Sequence, residues 1–472
     1  MNVHLSLRVF GRCAAAGSLA ALTACGHTAY PTTIPQTALS PETSLDNAFA
    51  PDVQSAPKPA IYIANTQSNS IAVFPESANG NVAPAAKIAG SATALHGPLA
   101  VLVAPNGRIY AANATNTIEI FRAGASGNVA PMTTIMCGGL NKPSALALDA
   151  AGTLYVANAS GNSVSIFASS ASGCVSGNRV IAGASTQLHT PMGAAFASGK
   201  IFVANAATNS IVSFAASAHG NVAPSTTLAG TLTKLNQPHG LAFDVHSVLY
   251  ASNATSLTEY AAGAHGNVAP VRTIIGASTS LVRTAATGAS IMGRAIVLDA
   301  SRAIDTYAAG ANGNVAPAQR ITGSNTGLTG SSGLAIFEPV QIVGVNLFGT
   351  SATTDPHYGA VHGYFNGASS TVSQVVHVTA GDPVVFKNTD GTEHTASFLG
   401  NATATSASYP ASFNGSAAMS AAGSAIGGLH FSTGTLNAGQ TSAMYFAAPG
   451  FYIIGCAFHY SFYAMRTVVV AQ

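Results

Sequence analysis

An all-β chain is predicted, built as a ring of repeated four-stranded units followed by a smaller β domain. Three observations predict it. A motif returns at a nearly constant interval through the middle of the 472 residues. The segments between its copies alternate apolar and polar residues and are broken by Gly, Asn and Pro, which is the pattern of short strands and tight turns. Only 7% of residues are charged, against about 25% in ordinary domains, while 48% are hydrophobic. Such a chain covers its surface with uncharged polar turns and is too apolar to be disordered. The formal net charge is +2 and there is no basic run, which argues against a nucleic-acid partner.

The motif is Gly-Asn-Val-Ala-Pro, beginning at Gly80, Gly127, Gly220, Gly266 and Gly313, with a degenerate copy, GCVSG, at Gly173. The intervals are 47, 46, 47, 46 and 47 residues, so one supersecondary unit repeats six times. Each unit carries a hairpin such as IYIANTQSNSIAVF from Ile61 or LYVANASGNSVSIF from Leu154. A strand precedes it, as in QPHGLAFDVHSVLY, and another follows the motif, as in STTLAG. Four short strands per unit make one blade of a propeller, so a six-bladed β-propeller is expected over 59–339. The first copy lacks its leading strand, and an extra GLAIFEP stands at 333–339. Pairing of that segment beside Ile61 would close the ring and remove its exposed edges. The stretch resembles NHL-type six-bladed propellers, which also read P-x-G-[LI]-A-x-D, then G-x-[LI]-Y-V-A-[DN]. That resemblance implies architecture and little about function.

Residues 340–472 hold a different signal. Cys456, His459 and Met465 crowd into GFYIIGCAFHYSFYAMRTVVVAQ, and His394 lies upstream in FKNTDGTEHTASF. Two imidazoles, a thiolate and a thioether form the donor set of a trigonal copper site with a weak axial bond. The region resembles the plastocyanin-like cupredoxins. The resemblance implies a Greek-key β-sandwich holding one type 1 copper, with His394, Cys456 and His459 in the plane and Met465 axial. It also implies a brace for the Cys loop from Asn388, and an apolar rim of Phe458, Tyr460, Phe462 and Tyr463 where a redox protein partner would dock. The sequence departs from the family at one point: its spacing is C-x2-H-x5-M, with Ala464 before the Met, where the family has C-x2-H-x4-M and Gly. The other histidines of the region, His357, His362, His377 and His430, lack ligand spacing and read as surface residues.

The N-terminus reads as an export signal over 1–25, with Arg8, Arg12 and a short apolar stretch ending in Leu22-Thr23-Ala24-Cys25. It resembles a bacterial lipobox, which makes Cys25 the lipidation site; a plain secretory signal is the alternative. Residues 26–58 are Pro-rich and read as a disordered tether. The expected localisation is the bacterial cell envelope, on the periplasmic side or the outer surface, with membrane contact through the lipid anchor only and the chain monomeric. Cys137 and Cys174 each break their repeat in an exported chain, which points to a disulfide, two buried thiols being the alternative. His96, Asn141, His189 and Asn236 recur in Leu-[His/Asn]-x-Pro turns. They form either a polar ring at the propeller mouth or a turn preference in which Asn and His serve local backbone groups. No Ser-His-Asp arrangement or paired acids appear in the repeats, and the absence of His-x-His argues against a multicopper oxidase. The sequence thus predicts a copper-binding electron carrier and not an enzyme. Copper storage, delivery or sensing is one alternative; a structural surface protein is the other.

Overall fold

The computed structural model describes residues 58–471 apart from 176–178, 245–246, 292, 340, 368–370, 379–382, 411–420, 423–424, 427–431 and 447. The expected signal peptide, Cys25, nearly all of the tether and His430 lie outside the described residues. The chain is all-β, with single helical turns between strands. Among the described residues no helix is long and apolar enough to cross a membrane.

Residues 60–337 form six successive meander sheets of antiparallel strands, the second with one further strand, Gly173–Val175, paired parallel to Thr133–Cys137. Sheet 2 begins with Pro98–Val103, sheet 3 with Pro143–Leu148, sheet 4 with Pro191–Ala197, sheet 5 with Gly240–Phe243 and sheet 6 with Thr284–Ala289. Sheet 1 is made from both ends of the segment. Ser331–Phe337 pairs antiparallel with Ala60–Asn65, with Ile61 opposite Ile336 and Tyr62 opposite Ala335, as the extra GLAIFEP predicted. The first strands of the six sheets follow one another in a closed cycle, with Ser331–Phe337 lying between Pro98–Val103 and Thr284–Ala289.

The repeated residues turn out to be seam chemistry. The Asn of each Gly-Asn-Val-Ala-Pro accepts an N–H from the single turn that leads out of the preceding sheet. Asn128 accepts from Ala92, Asn221 from Ser185, Asn267 from Leu232, Asn314 from Ser278, and Asn81 from Asn325 across the ring closure, all at 2.7–2.9 Å. Each turn starts at a glycine (Gly90, Gly183, Gly230, Gly276 or Gly323) with φ between 115° and 128°, and a Cβ there would fall 2.3–2.5 Å from the Asn side chain. Positive φ and the space taken by the Asn both require glycine. Five seams are made this way. At the seam between sheets 2 and 3, Cys137 stands at the glycine position and Cys174 at the Asn position, and the two form a disulfide with Cα atoms 5.1 Å apart. Sheet 2 also lacks the helical turn found at the other five seams.

The second repeated Asn works inside each sheet. Asn65, Asn113, Asn158, Asn205 and Asn253 are fully buried. Asn113 accepts the backbone N–H of His96, Asn158 that of Asn141, Asn205 that of His189, and Asn253 that of Asn236. The Leu-[His/Asn]-x-Pro turns are thus anchored through their backbone, and the His96 ring also lies 2.9 Å from the Ala94 carbonyl. The buried Asn residues stand at strand ends, where their side chains satisfy the backbone of a neighbouring turn.

Glu338 follows the closing strand, and its Oε2 accepts the Ile291 N–H at 2.5 Å. Nearby, Arg294 pairs with the buried Glu76. Burial, then the charge of Glu76, push Glu338 up to about 8. This folded value lies above that of an unfolded Glu, so the group's contribution is present in acid and lost as pH rises through about 8. Glu338→Gln is expected to flatten that loss. In urea unfolding the variant should gain on the parent at about pH 8.5 and match it near pH 4.

Residues 341–471 form a second set of sheets. Among the described residues, one has five strands and contains Gln341–Val345, Pro383–Asn388 and Thr441–Phe446 as neighbours; another has six and contains Gly450–Gly455 between Ser397–Asn401 and Arg466–Ala471. Gln341–Val345 runs parallel to Pro383–Asn388, and Thr441–Phe446 antiparallel to it. Val343, Val345, Phe386 and Phe446 of the first sheet share one buried cluster with Tyr452, Ile454 and Val469 of the second, so the two sheets enclose a common core. Cys456 and Met465 belong to that core.

Candidate metal centre

Two segments bring the sulfur and the two imidazoles together. The first is the loop after Pro383–Asn388. Asn388 is fully buried; its Nδ2 donates to the carbonyls of Thr392 at 2.6 Å and Leu436 at 2.8 Å, and its Oδ1 accepts the Asp390 N–H at 3.0 Å. His394 then exchanges backbone hydrogen bonds with Leu436, donating at 3.1 Å and accepting at 2.7 Å. Asn388 thus braces the loop that carries His394. The expectation that it braces the Cys loop is corrected: its hydrogen bonds go to the upstream segments.

The His394 ring is fully buried and its Nε2 lies 2.8 and 2.9 Å from the carboxylate oxygens of Asp390 and 3.0 Å from Thr392 Oγ1. A carboxylate can only accept, so Nε2 carries the proton and the Nδ1 lone pair is left to face the site. Hydrogen bonds from Thr392 and His394 hold the Asp390 carboxyl below its usual value, outweighing burial, which acts the other way. Burial lowers His394, with Asp390 opposing, and so keeps the ring neutral. Asp390 was not singled out in the sequence; its place four residues before His394 was the available signal.

The second segment begins where Gly450–Gly455 ends. Cys456 is fully buried, and its Sγ lies 3.7 Å from His394 Nδ1 and 3.5 Å from His459 Nδ1. All three ligand-type atoms fall within 4.8 Å of one another. The Thr395 N–H points at Sγ at 3.4 Å, and Thr395 Oγ1 accepts the Ala457 N–H at 2.8 Å, which ties the two segments to each other. Burial pushes the Cys456 thiol up, with the N–H groups of Thr395, Phe458 and His459 opposing. Burial lowers His459, and the adjacent His394 lowers it further. The metal-free site therefore holds neutral groups, and loading it with a cation must displace the thiol proton.

The extra residue of the loop is taken up by one helical turn, Tyr460–Tyr463, closed by Ala464 in the left-handed region at φ 50°. The chain returns in register, with the Cys456 N–H donating to the Met465 carbonyl at 3.1 Å. Met465 is fully buried beside Gly363, where a Cβ would lie 2.5 Å from Met465 Cγ. His394, Cys456 and His459 are thus brought to one point, and Met465 is placed in the same core. Neutral imidazole nitrogens and a thiol are donor types that suit copper and other late transition metals.

The rim differs from the expected one. Tyr460 is buried and its hydroxyl donates to the Pro410 carbonyl at 2.8 Å, so it does not belong to the surface. The Phe462 side chain lies outside the described residues. Tyr463 is 50% exposed and Phe348, which the sequence reading missed, is 63% exposed. Their rings lie 5.8 Å apart, and those of Phe348 and His459 6.2 Å. His362, expected at the surface, is half-buried, with Nδ1 3.3 Å from the Tyr463 carbonyl and Nε2 3.4 Å from that of Thr350. His357 and His377 are exposed, as expected.

No family model matches the chain, and no curated protein does. Solved structures similar to it include a nidogen/laminin complex, at 15% identity and TM-score 0.44, covering 60% of this chain and 99% of that one. A protein of unknown function from Bacteroides caccae is similar at 11% identity and TM-score 0.44, with 60% and 99% covered. A functionally unknown protein from Desulfotomaculum acetoxidans DSM 771 is similar at 11% identity and TM-score 0.41, with 60% and 100% covered. Nothing about function passes from these to the present chain.

Proposed function

We propose that the chain is an exported, lipid-anchored copper protein that carries one electron at a time, with a six-bladed β-propeller followed by a cupredoxin sandwich. The observation that carries this reading is the convergence of His394, Cys456 and His459, with one ligand-type atom of each within 4.8 Å of the others, two of the three side chains fully buried. Cys456, His394 and His459 would hold the metal, with Met465 as the weak fourth ligand. Copper bound there supplies a one-electron couple. Asp390 fixes the His394 ring and its tautomer, so the nitrogen that faces the site is set before any metal arrives. His394 and Cys456 are fully buried. His459, half-buried beside Phe348 and Tyr463, is the side chain through which a partner would approach, over an apolar patch suited to a brief encounter. The ring of sheets would serve as a docking or binding platform.

The test is the visible spectrum of the purified full chain with Cu(II), measured beside Cys456→Ser. An intense thiolate-to-copper band, absent from the variant, is expected. Copper bound without colour would replace electron transfer with storage or delivery, and no copper binding would overturn the reading.

A further inference from the structure

The copies of the repeat serve as controls for one another, because their hydrogen bonds identify equivalent residues. Leu232 donates its N–H to the seam residue Asn267, in the place that Ala92, Ser185, Ser278 and Asn325 hold at the other turns. Val282 donates its N–H to Asp299 at 2.7 Å, as His96, Asn141, His189, Asn236 and Thr329 donate to the buried Asn of their own sheets. Both places are small or polar in the other copies, yet Leu232 is 56% exposed and Val282 67% exposed.

Arg302 breaks the pattern further. It has φ 66° in the hairpin turn of sheet 6, where sheets 1 to 4 have Asn69, Asn116, Asn162 and Asn209. Each of those Asn side chains accepts an N–H of the next turn at 2.7 Å. A guanidinium cannot accept, and Asn tolerates positive φ better than Arg does. A hydrogen bond and a relaxed backbone have been given up there for an exposed cation.

These departures adjoin one another. The Ala300 N–H donates to the Arg283 carbonyl at 2.7 Å, which joins the hairpin of Arg302 to the turn of Val282 and Arg283. The Ala254 N–H donates to the Asn236 carbonyl at 2.9 Å and the Ala254 carbonyl accepts the Thr284 N–H at 3.2 Å, which joins the turn of Leu232 and Lys234 to the same place. Lys234, Arg283 and Arg302 are exposed. No acid answers them. The turns that lead into the sheets, and the hairpin turns between second and third strands, make up this end of the ring and contain no Asp or Glu. Asp299, beneath the Val282 turn, is fully buried and accepts the N–H groups of Val282, Arg283 and Ser301. Glu76, Asp149, Asp244 and Glu338 follow strands that finish at the opposite end.

We propose that this end of the ring, over sheets 5 and 6, docks on an anionic phospholipid membrane. Leu232 and Val282 enter the headgroup region, and Lys234, Arg283 and Arg302 face the lipid phosphates. The two apolar side chains stand on different turns, each beside its own cation. A fluid lipid surface closes round each separately, whereas a folded acidic protein would have to match both at once. Each cation held near an anionic surface strengthens binding roughly fivefold. The inference depends neither on copper nor on a lipid anchor.

The test is cosedimentation of the chain from residue 26, which keeps every described residue and carries no lipid, with vesicles of phosphatidylcholine alone and of phosphatidylcholine with phosphatidylglycerol. Binding is expected only to the vesicles with phosphatidylglycerol, and raised salt should weaken it. Leu232→Ser with Val282→Asn, and Lys234→Gln with Arg283→Gln and Arg302→Asn, install residues that other copies hold at these places. Each combination should weaken binding at least tenfold, with a melting curve that matches the parent. Arg108→Gln, which removes an exposed cation at the opposite end, should leave binding unchanged. The lipid and salt comparisons use the parent alone, so the test stands if a variant folds poorly. No binding to phosphatidylglycerol vesicles, equal binding to phosphatidylcholine, binding unchanged in the charge variant, or an equal loss in Arg108→Gln would each overturn the proposal.

Discussion

Replacing Cys137 and Cys174 together by serine is expected to lower the stability of the chain by about 3–4 kcal/mol, from the loop-closure entropy of a link this long. The bridge spans a sequence separation of 37. The loss should not be absorbed locally. At the other seams an Asn and a glycine-led turn provide a hydrogen bond, but sheet 2 lacks that turn. Cys137→Gly with Cys174→Asn would supply the side chains of a normal seam without the N–H that the Asn needs, and should recover little. The chain contains no tryptophan, so urea unfolding is best followed by far-ultraviolet circular dichroism. The oxidised parent, the reduced parent and the double-serine variant would be compared. A double variant as stable as the oxidised parent would show that the seam is held by packing alone.

Gly363→Ala is expected to be nearly as damaging, and its damage should reach the candidate metal centre. Gly363 has φ 83°, and a Cβ there would stand 2.5 Å from Met465 Cγ, 2.6 Å from Cε and 3.1 Å from Sδ. Left-handed backbone strain and overpacking of a buried side chain together cost about 2–4 kcal/mol. The Met465 thioether would have to move, while His394, Cys456 and His459, held by hydrogen bonds elsewhere, should stay. The expected result is a lower melting temperature with copper still bound in a thiolate-coloured site, its absorption and reduction potential shifted. An unchanged spectrum together with a lowered melting temperature would remove Met465 from the ligand set.

The sequence made the ring and the residues of the candidate metal centre legible for one reason: both are written in local patterns. Six near-equal intervals, one missing first strand and one surplus last strand foretold the pairing of Ile61 with Ile336. Cys456 and His459 stand three apart on one turn, a spacing that survives without a fold. What stayed hidden depends on contacts between distant segments. Phe348 joins the surface at His459 only after folding, and no periodicity marks it. Asn388 was noticed, but its partners Thr392 and Leu436 come from loops whose approach the sequence does not encode locally. The shortened seam was readable in principle: from Ile135 to Pro143 the chain takes two residues fewer than from Ile88 to Pro98, and the cysteine stands in the shortened stretch.

Building sheet 1 from both ends of the repeat segment also sets a timetable. A chain that emerges N-terminus first presents Ala60–Asn65, Ser70–Pro75 and Ala86–Ala89 long before Ser331–Phe337 exists to cover them. Until then the apolar face of Ile61 and Ile63 has no inner neighbour, and Asn81 has no Asn325 to hold. Completion depends on the most distant pairing in the segment, which makes folding slow for the chain's size. A chain cut short before residue 331 would keep an open strand edge for its whole lifetime. Truncated products should therefore aggregate, whereas loss of residues after 339 would leave a ring that can still close.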